Sequence, residues 1–283
     1  QAALSAGLPE STPCTTINKV CSSGMKSIMM ASQSIRLGDR SLMVAGGMES
    51  MSQSPFYSHD ARWGAKYVNR SLVDGIVRDG LQDPYDGSMM GVCGDLCADE
   101  QGLDRSAQDE YAIASYKRAQ EASNNGWLDS EIAPIEIPQR KGDPVVISRD
   151  EDIDKVRFEK IPSLRPVFNK EGSVTAANAS NINDGAAALV LASDQWIEAH
   201  KPLARIVSYA DAAQNPKQFT MTPSLAMPLA LDKAGLKSSE IDLVEINEAF
   251  SVVALANMKA MGFSHDITNV NGGGVSIGHP IGV

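Results

Sequence analysis

Three short segments hold side chains that could do covalent chemistry. In Ile17-Asn-Lys-Val-Cys-Ser-Ser-Gly-Met25, Cys21 stands where a β-rich apolar run gives way to a helical pattern. A thiol at a helix start meets backbone N–H dipoles that favour the thiolate, the nucleophilic form. Small Ser22, Ser23 and Gly24 let a substrate approach closely, and backbone N–H groups there can receive an oxyanion. Taken alone, Cys21 has a plainer and commoner reading, a buried cysteine at a strand–helix junction. His279 follows a triple glycine in Asn269-Val-Asn-Gly-Gly-Gly-Val-Ser-Ile-Gly-His279-Pro-Ile-Gly. Such glycines permit positive φ and close approach of backbone to a ligand, which makes His279 a catalytic candidate. Asn247-Glu-Ala-Phe250 closes a strand-like run. The carboxyl ends of parallel strands are where α/β proteins bind ligands, so Asn247 is placed to hold a water or a carbonyl. For Glu248, capping the next helix and serving the site are equally open readings. His265 lies in a polar turn and reads as solvated.

The surrounding pattern is that of an α/β protein. Strand, helix and strand are expected over 14–20, 25–37 and 42–45, the first helix closing at Gly38. This implies a right-handed βαβ unit in a parallel sheet. Residues 52–178 are more polar, contain two of the three Trp (Trp63 and Trp127), and carry a helix over 106–124 with Ser106 as its expected cap. Buried texture returns at Asn183, with strands expected over 186–191, 204–209 and 241–246, and from 267 into the glycine-rich turn. Helices are expected over 224–234 and 251–261, the second almost wholly apolar and so covered on both sides.

Composition narrows the function classes. The 283 residues are 43% apolar, enough for a sizeable core, and carry a net charge of −10. That charge argues against nucleic acid or an acidic membrane as a primary partner, and a polyanionic substrate would need a local basic patch. No apolar run approaches the roughly 20 residues that span a bilayer. The four cysteines, Cys14, Cys21, Cys93 and Cys97, do not read as a disulfide framework in a chain of this size. Cys93 and Cys97 lack companions at metal-ligand spacing and read as buried small residues.

Ile17 to Ala31 resembles the acyl-enzyme signature of the thiolase family. Asn247-Glu-Ala-Phe250 is similar to that family's Asn-Glu-Ala-Phe motif, and 269–282 resembles its Gly-His-Pro signature. The motifs stand in the family's order and approximate spacing, and the similarity, running through nearly the whole chain, is closest to the short-chain acetoacetyl-CoA branch. The resemblance implies an α/β fold of two similar halves in α-β-α-β-α layers with an inserted loop domain. The halves would be 1–51 with 180–198 and 199–283, and the CoA-binding loop domain 52–179. It implies reversible thiolysis of acetoacetyl-CoA to two acetyl-CoA through an acetyl group on Cys21. His279 would take the Cys21 proton and help stabilise the thioester enolate oxygen, and Asn247 would hold a water completing that oxyanion hole.

The same resemblance gives further expectations. Coenzyme A, a substrate rather than a cofactor, would meet Tyr116, Lys155, Val156, Arg157, Lys160 and Ser180, with Ser180 at the pantetheine arm. No organic cofactor is implied. Backbone carbonyls of Ala176, Ala177, Ala179 and Val275, with Tyr116, match the potassium site of the potassium-activated members, an ordinary Ala-rich turn being the alternative. Partners would be acyl-CoA and free CoA in a mitochondrial homotetramer, a dimer of dimers, although peroxisomal and cytosolic members share these motifs. The family's second catalytic cysteine lies in a Cys-x-Gly motif beyond position 283, so turnover is expected to need residues outside this sequence; both halves are expected to be incomplete, the N-terminal one lacking its first strands and the C-terminal one its last. The alternatives are a non-catalytic acyl-CoA-binding protein or truncated isoform, and a ketoacyl-synthase-like condensing enzyme. The last uses paired histidines, and His59, His200 and His265 lack that context.

Overall fold

The computed structural model describes residues 1–64 and 66–283. Its helices are α1 (Ala2–Ser5), α2 (Ser23–Arg36), α3 (Met90–Gln101), α4 (Arg105–Asn124), α5 (Pro223–Ala234), α6 (Ser251–Met261) and α7 (Gly274–Ile277). Its strands are β1 (Leu42–Ser50), β2 (Phe56–Tyr57), β3 (Val73–Asp74), β4 (Ile135–Ile137), β5 (Val145–Ile147) and β6 (Asp184–Ala192). The pairs β2–β3 and β4–β5 are antiparallel, and β1 is hydrogen-bonded to β6. The chain divides into two compact units, one of residues 1–49, 185–204 and 280–283, the other of residues 50–184 and 205–279. Residues 52–179 therefore share a unit with 205–279.

In the first unit α2 turns Ile28, Ala31 and Ile35 inward, a helical spacing that puts them on one face. They pack on Met43 and Ala45 of β1 and Leu191 of β6. Glycine is needed where backbones touch: a Cβ on Gly24 would lie 2.7 Å from the Val283 carbonyl carbon, and one on Gly47 2.1 Å from the Gly282 oxygen.

The second unit is organised by α6, which is buried along most of its length and packs against α3, α4 and α5. Its Val252, Val253, Ala254, Ala256 and Met258 form one core with Cys97, Tyr111, Val174, Ile246, Phe250 and Phe263. Gly262, at φ 72°, ends the helix in the left-handed region that L side chains avoid. Asn257 is fully buried; its Oδ1 accepts from Ser224 N at 2.8 Å and its Nδ2 donates to the Thr220 and Val253 carbonyls, tying α6 to the start of α5.

Several expected elements differ. Helix α4 is capped by Asp104, whose Oδ1 accepts from Ala107 N at 2.8 Å, rather than by Ser106. A carboxylate in that position also complements the helix dipole. Residues 241–246 are not laddered into a regular strand, and Val244 meets Thr268 in a single parallel bridge. Apolar alternation records a face that can be buried, whereas a ladder also needs a neighbour in register.

Candidate active site

Asn247 and His279 are brought together: the Asn247 Nδ2 lies 3.2 Å from the His279 Nε2. An amide N–H2 can only donate, so in this arrangement Nε2 accepts and the imidazole is neutral with its proton on Nδ1. Burial lowers the His279 pKa below the ordinary imidazole value, which keeps it in the base form. The chain around the ring is fixed from the 181–183 segment. His279 N donates to the Asn181 carbonyl at 3.0 Å, and Asn183 Nδ2 donates to the Ile277 carbonyl at 2.9 Å. Gly278 adopts φ 88°, and a Cβ there would meet Asn183 at 2.5 Å.

Glu248 does not cap α6, whose N-cap is Phe250 with no side-chain cap. Its carboxylate is fully buried and accepts four hydrogen bonds. Tyr111 Oη and Asn269 Nδ2 donate to Oε1, each at 2.8 Å. Ser115 Oγ and Val275 N donate to Oε2, at 2.8 and 3.1 Å. Asn269, held at φ 49°, also donates to the Ile246 carbonyl and accepts from Ile246 N. The triple glycine serves this packing. A Cβ on Gly273 would sit 2.6 Å from the Glu248 Cδ, and Gly272 (φ 85°) lies against Ala119 and the Ser115 carbonyl. Tyr111, Ser115 and Asn269 were not read from the sequence as functional. The available signal was the polar series Gln108, Tyr111, Ser115 and Arg118 along one face of α4. His265 is also more than solvated: its ring stacks on Tyr111 at 4.8 Å, and burial lowers its pKa.

Cys21, in the first unit, lies in a short 3₁₀ turn, Val20–Ser22, that leads directly into α2. Val20 is held at φ 48°, a strained conformation for a β-branched residue and a feature often found beside reactive groups. Ser23 braces the turn, its Oγ accepting from Lys19 N at 2.8 Å and donating to the Val20 carbonyl at 2.7 Å. The dipole-lowered thiol expected from the sequence is not what results. Cys21 is exposed at the surface, yet the bulk of protein around sulfur excludes the water that would stabilise a thiolate and raises its pKa. Surface exposure governs whether a reagent reaches the thiol; desolvation governs its charge, and the resting group is a neutral thiol that needs a base. Cys93 and Cys97 are buried in α3, as expected, and Cys14 is exposed.

The residues expected at coenzyme A and potassium fall partly together. Tyr116, Ala112 and Val275 form a small core against Val156 and Phe158. Burial, with Asp152 and Glu248 nearby, pushes the Tyr116 hydroxyl up to about 12. Ser180 Oγ and N both donate to the Ala249 carbonyl at 3.0 Å. The loop bearing Ala176, Ala177 and Ala179 is pinned by the buried Asn178, which donates to Asp109 and to the Ser173 carbonyl and accepts from Thr175 N. Among the described residues no hydrogen bond uses the carbonyls of Ala176, Ala177 or Ala179, so they suit a hard cation. Lys155 is engaged with Glu151 at 2.5 Å and Asp152 at 3.5 Å. Arg157 and Lys160 are exposed and form no ion pair among the described residues. No helix of the described residues is long and apolar enough to cross a membrane, and none of their His, Cys, Asp and Glu side chains form a cluster for a metal ion.

A cysteine at a helix start, and a paired imidazole and amide, are groups of the kind that acyl transfer through a thioester uses. Residues 1–195 match the N-terminal domain of thiolase and residues 200–283 the C-terminal domain. A probable acetyl-CoA acetyltransferase of Dictyostelium discoideum is 53% identical over all of this chain and 69% of its own length. A mitochondrial acetyl-CoA acetyltransferase of Mus musculus is 50% identical over all of this chain and 67% of its own. A cytosolic one of Gibberella zeae is 48% identical over all of this chain and 72% of its own. The crystal structure of the Acat5 thiolase from Ascaris suum with coenzyme A matches at a TM-score of 0.93 and 42% identity, over 99% of this chain and 72% of that one. The chain belongs to the thiolase family and has the thiolase fold.

Proposed function

We propose that the protein is an acetyl-CoA C-acetyltransferase: acetoacetyl-CoA and CoA give two acetyl-CoA through an acetyl-cysteine at Cys21. Membership of the thiolase family gives the class, and the observation that carries the residue roles is the Asn247–His279 pair, a neutral imidazole with an amide at 3.2 Å. His279 takes the proton of the Cys21 thiol as sulfur attacks the C3 carbonyl of acetoacetyl-CoA. The C2–C3 bond then breaks, leaving acetyl on sulfur and the enolate of acetyl-CoA, which takes a proton at C2 from the second acid–base cysteine that the family resemblance implies and leaves as acetyl-CoA. His279, now carrying a proton on Nε2, and the Asn247 amide become neighbouring N–H donors. Both are suited to an anionic thioester oxygen, directly or through a water held by Asn247. In the second half, the thiol of CoA gives its proton to that second group, now a base, and attacks the acetyl carbonyl, while His279 returns its proton to the departing Cys21 sulfur. Condensation is the same sequence reversed.

Arg157, Lys160 and Lys155 are assigned to the phosphates of CoA, Tyr116 and Val156 to the wall beside it, and Ser180 to the pantetheine arm. The uncommitted carbonyls of Ala176, Ala177 and Ala179 support a potassium ion that would steady their loop, together with Val275 and Tyr116. The same reading takes in the domain division at 1–51 with 180–198, 52–179 and 199–283, and the homotetramer. It also takes in a mitochondrial setting, for which the mouse relative speaks and the Gibberella relative does not.

The test is acylation itself. Incubated with radiolabelled acetyl-CoA, the protein should acquire one acetyl group, located on Cys21 by peptide mass spectrometry. Cys21→Ala should acquire none, and label retained by that variant, or found on Cys93, would overturn the assignment.

A further inference from the structure

We infer that the Glu248 carboxylate is the positioning residue that sets the Asn247 amide against the His279 imidazole; this rests on the acyl-transfer reading above. Each Glu248 oxygen faces one group that can only donate, Asn269 Nδ2 at Oε1 and Val275 N at Oε2, so the side chain must accept on both sides. Its backbone adjoins Asn247. Its Oε2 holds the Val275 N–H in the first turn of α7, four positions before His279. One rigid group thus ties the residue carrying the amide to the segment carrying the ring. The other two donors, Tyr111 and Ser115, lie one turn apart on α4, and Ser115 Oγ is 2.9 Å from Ser276 Oγ, a second tie to α7. The left-handed Asn269 and the side-chain-free Gly273 are the backbone conditions for this packing. A carboxylate brought wholly out of water is costly unless every acceptor site is met, and here the four bonds meet it.

Glu248→Gln keeps the shape and removes the complementarity. Its amide N–H2 must face either Val275 N–H or Asn269 N–H2, two donors nose to nose whichever way it turns. The rate constant for single-turnover acetylation of Cys21 should fall about 10- to 100-fold, as for a misplacement of about 1 Å, with the acetyl-CoA concentration for half-maximal rate little changed. The acid limb of the pH–rate profile should also move up, because an amide that no longer donates to Nε2 no longer favours the neutral ring. A variant that loses thermal stability but keeps the wild-type acetylation rate and pH profile would overturn the inference.

Should Glu248→Gln not fold, Ser115→Ala and Tyr111→Phe decide. Ser115 serves the oxygen that holds Val275, Tyr111 the other. Ser115→Ala should slow acetylation more than Tyr111→Phe does, and equal effects would overturn the inference. Wild-type protein that never acquires acetyl overturns the acyl-transfer reading itself, a result separate from any variant's.

Discussion

At the scale of single residues the chemistry turns on which group is charged at rest. Burial pushes the Cys21 thiol up and the His279 imidazole down, so each group is neutral at rest. The sign of the pH dependence follows. In the proposed mechanism His279 can act as base only when unprotonated, and its folded pKa lies below the ordinary value of about 6.5. The acetylation rate should therefore hold steady as pH falls through about 6.5 and drop only below it, checked by rapid-quench acetylation across that range. The unfolded chain binds that proton more readily, so stability contributed by the neutral ring is present above about 6.5 and is lost as pH falls toward the folded value. Asn247→Ala removes the donor to Nε2 and should shift the acid limb upward while leaving Cys21 in place. The motifs point to Cys21, Asn247 and His279 by type and order, and the structure places the last two 3.2 Å apart. They could not give the direction at sulfur, because the helix start that lowers a thiol pKa and the burial that raises it arise from the same junction, and only their balance in the fold decides.

At the scale of elements, legibility depended on how local the cause was. Helix α6 was plain: an apolar stretch that ends at Gly262 needs nothing beyond its own residues to be recognised. The run 241–246 has strand composition but no regular ladder, since pairing depends on neighbours far away in sequence. Glu248 was ambiguous for the same reason. Its donors Tyr111 and Ser115 stand 137 and 133 positions away, and nothing near Glu248 announces them. Asn257 is another distant tie with a measurable weight. Asn257→Ala would leave Ser224 N–H without its acceptor inside the core, at a cost of about 1–3 kcal/mol. Urea unfolding should show that loss in the midpoint with the slope unchanged, since the surface exposed on unfolding stays the same.

At the scale of the molecule the problem is electrostatic, because the proposed substrate of this protein of net charge −10 is itself a polyanion. The cations nearest in sequence are interleaved with Glu151, Asp152, Asp154 and Glu159, and those acids do not draw on them equally. Lys155 is held by Glu151 and Asp152, which raise its pKa and neutralise its field, and Arg149 is held by Asp154. Arg157 and Lys160 remain uncommitted among the described residues. Segment 149–154 is anchored to α4, with Gln120 Nε2 donating to the Ile153 carbonyl at 2.6 Å and Arg149 donating to Ser123 and Asn124. Glu151, Asp152 and Asp154 are thus carried on a segment tied to α4. Arg157→Gln with Lys160→Gln should therefore weaken CoA binding on the order of tenfold, whereas Lys155→Gln should cost far less. Isothermal titration of CoA at low and high salt separates the cases. The double variant should flatten the salt dependence, because fewer phosphate charges are then met by protein, and Lys155→Gln should leave it nearly as steep as in the parent. A larger effect from Lys155 than from the pair would reverse the assignment and put the phosphates beside Glu151 and Asp152, where a polyanion has the least to gain.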